Sequence, residues 1–286
     1  GLDADTAGFV LTELRLPRAA LGALVGASLA LVGAVFQVLF DNPLAAPSTL
    51  GTTAGASLGA LIVLLVAPGL GLGAVGIGAA GGALAVTAAV AALATSRRMT
   101  MADLLLAGIA VSLAASAVSL GLQATADAAT TFRAVRWSLG SLATVGWGAP
   151  AALAPVVAAA GAALVSQGRA LQVLAAGSAV AATQGVDVRR VRTVCLAAGS
   201  VLVGAVVAAA GPIAFVGLVV PHVVRRVHGH APRTLVPLSA VVGAGLLPLA
   251  DAVARTVVPG RELPVGVVTA LVGAPVLVAL VWRRGR

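Results

Sequence analysis

The sequence has no lysine and no tyrosine, and it carries little charge of either sign, because charged residues make up only 9% of the chain. A soluble domain contains about a quarter charged residues, which cover its surface. Hydrophobic residues make up 60% of this chain, so the bilayer must act as its solvent. The 286 residues suffice for roughly eight to ten helices of about 20 residues each, which leaves no room for a sizeable soluble domain.

The absence of lysine also bears on the source of energy. A nucleotide-binding loop uses a lysine to reach the phosphates, so any ATP-driven motor must be another chain, and we do not expect an enzyme. Cys195 is the only cysteine, which excludes an intrachain disulfide. His222, His228 and His230 have no cysteine or carboxylate beside them, so we predict neither a metal site nor a cofactor.

All 18 basic residues are arginines, and the net charge is +9. They form short clusters without a basic stripe or stacking aromatic residues, so nucleic acid is not a predicted partner. Alternating spans place twelve arginines on one side of the membrane and six on the other, and the positive-inside rule makes the first side cytoplasmic. The cytoplasmic set is Arg97, Arg98, Arg169, Arg189, Arg190, Arg192, Arg225, Arg226, Arg233, Arg283, Arg284 and Arg286, and the outer set is Arg15, Arg18, Arg133, Arg136, Arg255 and Arg261.

Charged and turn residues divide the apolar sequence into segments of membrane-spanning length. We predict nine spans, at 19–40, 50–67, 72–95, 103–125, 149–167, 191–210, 213–226, 235–256 and 264–282. The segment 137–147 carries tryptophans and is predicted to be interfacial. The less apolar segment 171–186 is predicted to form short cytoplasmic helices. A further helix before residue 1 would give ten spans with both ends inside the cell.

Glycines recur four residues apart in three of the predicted spans, a spacing that lets helix backbones approach closely in lipid. The sets are Gly22 with Gly26, Gly51 with Gly55 and Gly59, and Gly78 with Gly82. We therefore predict a densely packed helical bundle.

Charged residues near the outer ends of two spans need a reason to be there. Arg255 follows Asp251 by four residues, so an ion pair on one helix face is predicted. Arg15 and Arg18 run against the positive-inside trend, and docking of an acidic partner outside the membrane would explain them.

Ordered sequence blocks from about residue 15 to residue 282 resemble the FecCD-type permeases, the membrane subunits of ABC importers for iron–siderophores, haem and cobalamin. The blocks are RLPR at 15–18, GASLA at 26–30, NPLA at 42–45, FVGLVVPH at 215–222, ADAVAR at 250–255, ELPVGV at 262–267 and GAP at 273–275. The resemblance implies an all-α, ten-span permease in the bacterial cell membrane, with residues 1–286 forming a single permease domain.

The same resemblance implies a set of partners. These are a second permease subunit, identical or paralogous, two ATP-binding-cassette ATPase subunits, an extracytoplasmic solute-binding protein and the surrounding lipid. Arg15, Arg18 and Arg255 match the positions that dock the binding protein. Residues 171–189 match the cytoplasmic coupling helices, with Gly177, Ser178, Ala181 and Gly185 as contacts to the ATPase. Ser178 and Gln184 depart from the family, which often has an acidic residue and a leucine there.

The substrate that we expect is an iron(III)–siderophore chelate, and haem or cobalamin are alternatives within the family. A different class, an ion-gradient-driven secondary transporter, usually needs ionisable residues at mid-membrane. Asp251 is the only charge well inside a predicted span, and it lies near one end. A purely structural membrane scaffold would not stimulate a partner ATPase.

Overall fold

The computed structural model describes residues 3–94, 101–143, 145–258 and 260–282, and these residues form a bundle of α-helices without strands. The helices are α1 Ala4–Phe9, α2 Leu16–Leu39, α3 Thr52–Val66, α4 Gly71–Ala94, α5 Met101–Thr125, α6 Ala128–Ser138, α7 Gly148–Ser166, α8 Gly168–Leu174, α9 Ser178–Thr183, α10 Val188–Ala210, α11 Val216–His228, α12 Pro232–Thr256 and α13 Val265–Trp282. A π-helical turn, Val10–Arg15, joins α1 to α2. The predicted all-α polytopic bundle is confirmed.

Six helical segments of the described chain are long and apolar enough to cross a membrane: Asp5–Leu39, Gly73–Val90, Leu106–Thr125, Gly148–Ser166, Val188–Ala210 and Pro232–Thr256. Thr52–Val66 and Val265–Ala279 are apolar but shorter. The predicted span 213–226 corresponds to α11, whose 13 residues reach about 20 Å, less than the roughly 30 Å of the hydrocarbon layer. The predicted number of nine spans is therefore not confirmed.

Some predicted features fall outside the described residues, and the helices α1 and α6 were not predicted. The predicted span end at Thr95 lies outside them, and so do five arginines that were predicted to be cytoplasmic, Arg97, Arg98, Arg283, Arg284 and Arg286. The amphipathic helix α6 occupies residues that the sequence interpretation left between spans, because its apolar and polar residues alternate without a long apolar run. Within the segment 137–147, predicted to be interfacial, residues 139–143 and 145–147 are irregular.

The core of the bundle lies around α2, which packs against α7, α10, α11 and α12. A Cβ atom on Gly26 would overlap the carbonyl oxygen of Gly243 in α12, and one on Gly33 would overlap the carbonyl oxygen of Gly217 in α11. Glycine at these points lets the backbones touch, which is how helices associate in lipid, where apolar burial provides no driving force.

The helices α3 and α4 pack in the same way. A Cβ atom on Gly59 would overlap the carbonyl oxygen of Gly78, and one on Gly82 would overlap the carbonyl oxygen of Gly55. The packing predicted for these glycines is confirmed. Gly51 is an exception, because it precedes α3 as its N-cap with a φ of 78°, a left-handed conformation that favours glycine.

Two irregular segments explain why α3 and α11 are short. Residues 211–215 link α10 to α11, and residues 40–51 link α2 to α3. Gly217, at the start of α11, lies against Gly33 in the second half of α2. A Cβ atom added to Gly217 would lie 3.5 Å from Pro47 Cδ. The two segments therefore meet inside the bundle, beside the second half of α2, and α3 and α11 each begin there.

Candidate functional site

The start of α2 is shaped by Pro17, which has no N–H to donate to the carbonyl four residues earlier. A π-helical turn precedes it, and the carbonyl oxygens of Thr12 and Glu13 accept hydrogen bonds from the loop before α7. Trp147 Nε1 donates to Thr12 at 3.1 Å and Gly146 N donates to Glu13 at 2.8 Å. The loop between α6 and α7 thus fixes the entry of α2. We call the end of the bundle where α2 begins and α12 ends the Arg18 end.

A buried ion pair joins α2 to α12 at the Arg18 end. Arg18 Nε donates to Asp251 Oδ2 at 2.8 Å, and Arg18 Nη2 donates to Asp251 Oδ1 at 2.9 Å. The side chains are 13% and 4% exposed. Arg18, Gly22 and Gly26 are spaced four residues apart, so they share one face of α2. The ion pair therefore lies on the same α2–α12 interface as the contact between Gly26 and Gly243. The close approach of the two backbones brings the charges into bidentate contact.

Two further charges complete this cluster. Arg18 Nη1 donates to Glu262 Oε2 at 2.8 Å, and Glu262 is 55% exposed. Arg255 Nε lies 3.3 Å from Asp251 Oδ2, although its geometry gives this buried atom no hydrogen-bond partner within the described residues. The structure therefore places the predicted pair, Asp251 with Arg255, at ion-pair distance, while Asp251 makes its hydrogen bonds to Arg18.

The three arginines predicted to dock a partner differ in their surroundings. Arg15 is exposed at the end of the π-helical turn, Arg255 is half-buried, and Arg18 is engaged by two carboxylates. Arg18 and Arg255 lie together because both contact Asp251, and Arg15 lies at the same end of the bundle. Their docking role stays a prediction. Glu262 was not predicted as a partner of Arg18.

The predicted coupling segment lies at the opposite end of the bundle, in α8, α9 and the turns around them. Gly177 has a φ of 112° and Gly185 a φ of 78°, so glycine is needed to turn the chain on both sides of α9. Ser178 accepts a hydrogen bond from Arg192 Nη2 at 3.2 Å. Ala181 is fully buried, while the residues around it are exposed. The structure has short helices in this segment, α8 and α9, while their coupling role stays a prediction.

A cavity of about 400 Å³ opens where the two irregular segments meet. Its lining is mostly apolar, with hydroxyl groups and no charged side chain, and comprises Ser48, Thr53, Ser138, Leu139, Pro212, Ile213, Ala214, Gly266, Val267, Ala270 and Leu271. Irregular backbone at membrane depth is tolerated where it is buried in protein or lines a water-filled cavity. Within the described residues, no three His, Cys, Asp or Glu side chains lie together as a metal site requires.

The sequence model of the FecCD transport family matches residues 2–283. This chain belongs to the FecCD transport family. Among its relatives, the ABC transporter permease protein YvrB of Bacillus subtilis is 41% identical, over 97% of this chain and 80% of that protein. The cobalamin import system permease protein BtuC of Halobacterium salinarum is 42% identical, over 98% of this chain and 75% of that protein. The vitamin B12 import system permease protein BtuC of Vibrio cholerae is also 42% identical, over 95% and 82%.

Solved structures agree with this FecCD fold. A metal-chelate type ABC transporter in an inward-facing conformation superposes with a TM-score of 0.90 at 30% identity, over 99% of this chain and 90% of that one. PsaBC from Streptococcus pneumoniae in complex with Fab gives a TM-score of 0.67 at 17% identity, over 98% and 95%, which indicates a shared fold alone. The FecCD chain is thus a multi-pass ABC importer permease, a subunit type that does not itself hydrolyse ATP.

Proposed function

We propose that this chain is the permease subunit that carries a bulky metal chelate, of the iron(III)–siderophore type, across the bacterial inner or plasma membrane. The observation that carries the proposal is the uncharged cavity at the meeting point of two irregular segments. A second permease subunit would close its open side, and residues 1–286 act as one permease domain. Movement of the coupling segment by two ATPase subunits would open the path to one side at a time.

Cobalamin is the second candidate substrate, because relatives at 42% identity carry the names of cobalamin and vitamin B12 import permeases. The test is uptake by the whole transporter in proteoliposomes, with its ATPases and binding protein. Iron(III)–siderophore uptake that requires ATP supports the first candidate, and uptake of cobalamin alone would replace it. Uptake by the permease without its ATPases would instead indicate a secondary transporter.

Docking of the solute-binding protein is proposed at the Arg18 end, through Arg15, Arg18 and Arg255. Changing Arg15 to Glu should slow association of the binding protein roughly tenfold at low ionic strength, because the exposed charge steers an acidic partner. The effect should shrink at about 1 M salt, where screening acts within about 3 Å. Association rates from surface plasmon resonance measure it.

Arg136→Glu is the matched control for that experiment, because Arg136 is exposed and lies on the predicted outer side without belonging to the docking set. Equal slowing by both variants would mean that only the overall charge of that face matters. An unchanged rate for the Arg15 variant at low salt would remove Arg15 from the docking surface.

Coupling to the ATPase is proposed at residues 171–189, where Gly177, Ser178, Ala181 and Gly185 were predicted to act. The exposed surface of α9 supports a contact role for the segment. Gly177 and Gly185 would shape the turns, and buried Ala181 would support α9 from within.

A further inference from the structure

We propose that Glu262 occupies, in the free permease, the place on Arg18 that a carboxylate of the docking protein takes, and that docking releases Glu262 from α2. This inference rests on the proposed docking function and deepens it. It gives Glu262 a positioning role, because Glu262 occupies Arg18 until the partner docks. The family resemblance assigns no role to Glu262.

The geometry of the guanidinium separates a permanent partner from an exchangeable one. Asp251 takes the edge formed by Nε and Nη2 of Arg18, with two hydrogen bonds and only 4% of its side chain exposed. Glu262 takes Nη1 through a single oxygen and is 55% exposed. The buried bidentate contact holds the plane of Arg18 in place, so Nη1 keeps its direction when Glu262 leaves. An exposed single contact contributes little stability and can be replaced by an equivalent carboxylate.

The charges of the cluster specify what can replace Glu262. Arg18 and Arg255 carry two positive charges, and Asp251 and Glu262 carry two negative charges, so the cluster is neutral as it stands. Departure of Glu262 leaves a net charge of +1 around a half-buried site, which one carboxylate neutralises. The partner that fits is therefore an acidic side chain of the binding protein, with one carboxylate for each permease subunit.

Only a few residues of chain separate Glu262 from the cavity lining, so the release of Glu262 would affect the residues beside the cavity. Glu262 lies in the loop between α12 and α13, and Leu263 N donates to Ala254 O at 3.1 Å. The helix α13 begins at Val265, and the next two residues, Gly266 and Val267, line the cavity. A Cβ atom on Gly266 would overlap the carbonyl oxygen of Leu139, so the start of α13 is held tightly on that side. Occupation of Arg18 by the partner would thus free the Glu262 end of this loop, while the hydrogen bond from Leu263 to Ala254 still ties the loop to α12.

The test is the association rate of the solute-binding protein of the same transport system with the whole transporter in nanodiscs. Glu262→Gln should raise the rate about fivefold, because an exposed charged contact that competes for Arg18 is lost. Glu13→Gln is the control, since the Glu13 carboxylate lies at the same end of the bundle and forms no ion pair within the described residues. The double variant Arg18→Gln with Glu262→Gln should lose the gain.

A second measurement follows the loop itself. Cys195, the only cysteine, is buried, so a spin label on Arg261→Cys reports the loop alone. Its mobility should rise when the binding protein docks, and also in the Glu262→Gln variant without it. Equal rates for Glu262→Gln and Glu13→Gln, or an unchanged label on docking, would overturn the proposal. Failure of the unaltered transporter to bind the protein at all would instead remove the docking function on which the proposal rests.

Discussion

Changing Asp251 to Ala is expected to cost about 3–5 kcal/mol of stability, because it leaves the Arg18 guanidinium in a largely buried site without its bidentate partner. Arg18 is 13% exposed and Asp251 is 4% exposed, so water replaces the lost hydrogen bonds only in part. The contact between α2 and α12 should open at the Arg18 end, and uptake should fall with it. The thermal midpoint of unfolding in detergent and uptake in proteoliposomes measure the two effects.

The control for this prediction removes both charges together. Arg18→Met combined with Asp251→Leu replaces the pair with apolar side chains, which often restores or raises stability. We expect the double variant to unfold near the midpoint of the unaltered chain but to remain impaired in docking. An Asp251→Ala variant with an unchanged midpoint would contradict the structural role of the pair.

Changing Val180 to Asp is expected to reduce ATP-driven uptake at least about tenfold, since a carboxylate must then be desolvated at the proposed contact between α9 and the ATPase. Val180 lies on α9 and is 40% exposed, so the change leaves the interior of the permease intact. ATP hydrolysis stimulated by the binding protein and co-purification of the ATPase measure the effect.

The choice of position matters for this experiment. Ala181 is fully buried and Gly177 has a φ of 112°, so bulky side chains there would disturb the permease itself. Val227→Asp is the matched control, because Val227 is an exposed valine on α11, outside the proposed coupling segment. Normal uptake and stimulated hydrolysis by the Val180 variant, or equal loss in both variants, would remove α9 from the coupling contact.

The sequence led to correct positions for most helices because charged and turn residues interrupt apolar runs. The predicted segment 235–256 matches α12, and 191–210 matches α10 after its first turn. It also led to the packing glycines, because close approach in lipid requires small residues at a fixed spacing. It failed for α11, because a half-length helix that begins inside the bundle has the same apolar composition as part of a full span. It also missed the extension of α2 by α1 and the π-helical turn.

The sequence also predicted only part of the candidate site. Arg15, Arg18, Arg255 and Asp251 could be selected from the sequence, because charge near the end of an apolar segment is costly and needs a reason. Which charges pair could not be selected, since Asp251 lies four residues before Arg255 but makes its bidentate contact across 233 positions of sequence with Arg18.

Composition and hydrophobic pattern alone determined that this chain is a multi-helix membrane protein, because apolar surface is a property of the residues themselves, and the absence of lysine predicted that any ATP-driven motor would be another chain. Only the tertiary structure decided that Arg18 belongs to a neutral four-charge cluster and that an open cavity lies where two irregular segments meet. Both depend on the crossing of helices distant in sequence. Gly26 against Gly243 sets the separation of α2 and α12, and that separation, which no local pattern encodes, brings Arg18 within hydrogen-bonding distance of Asp251.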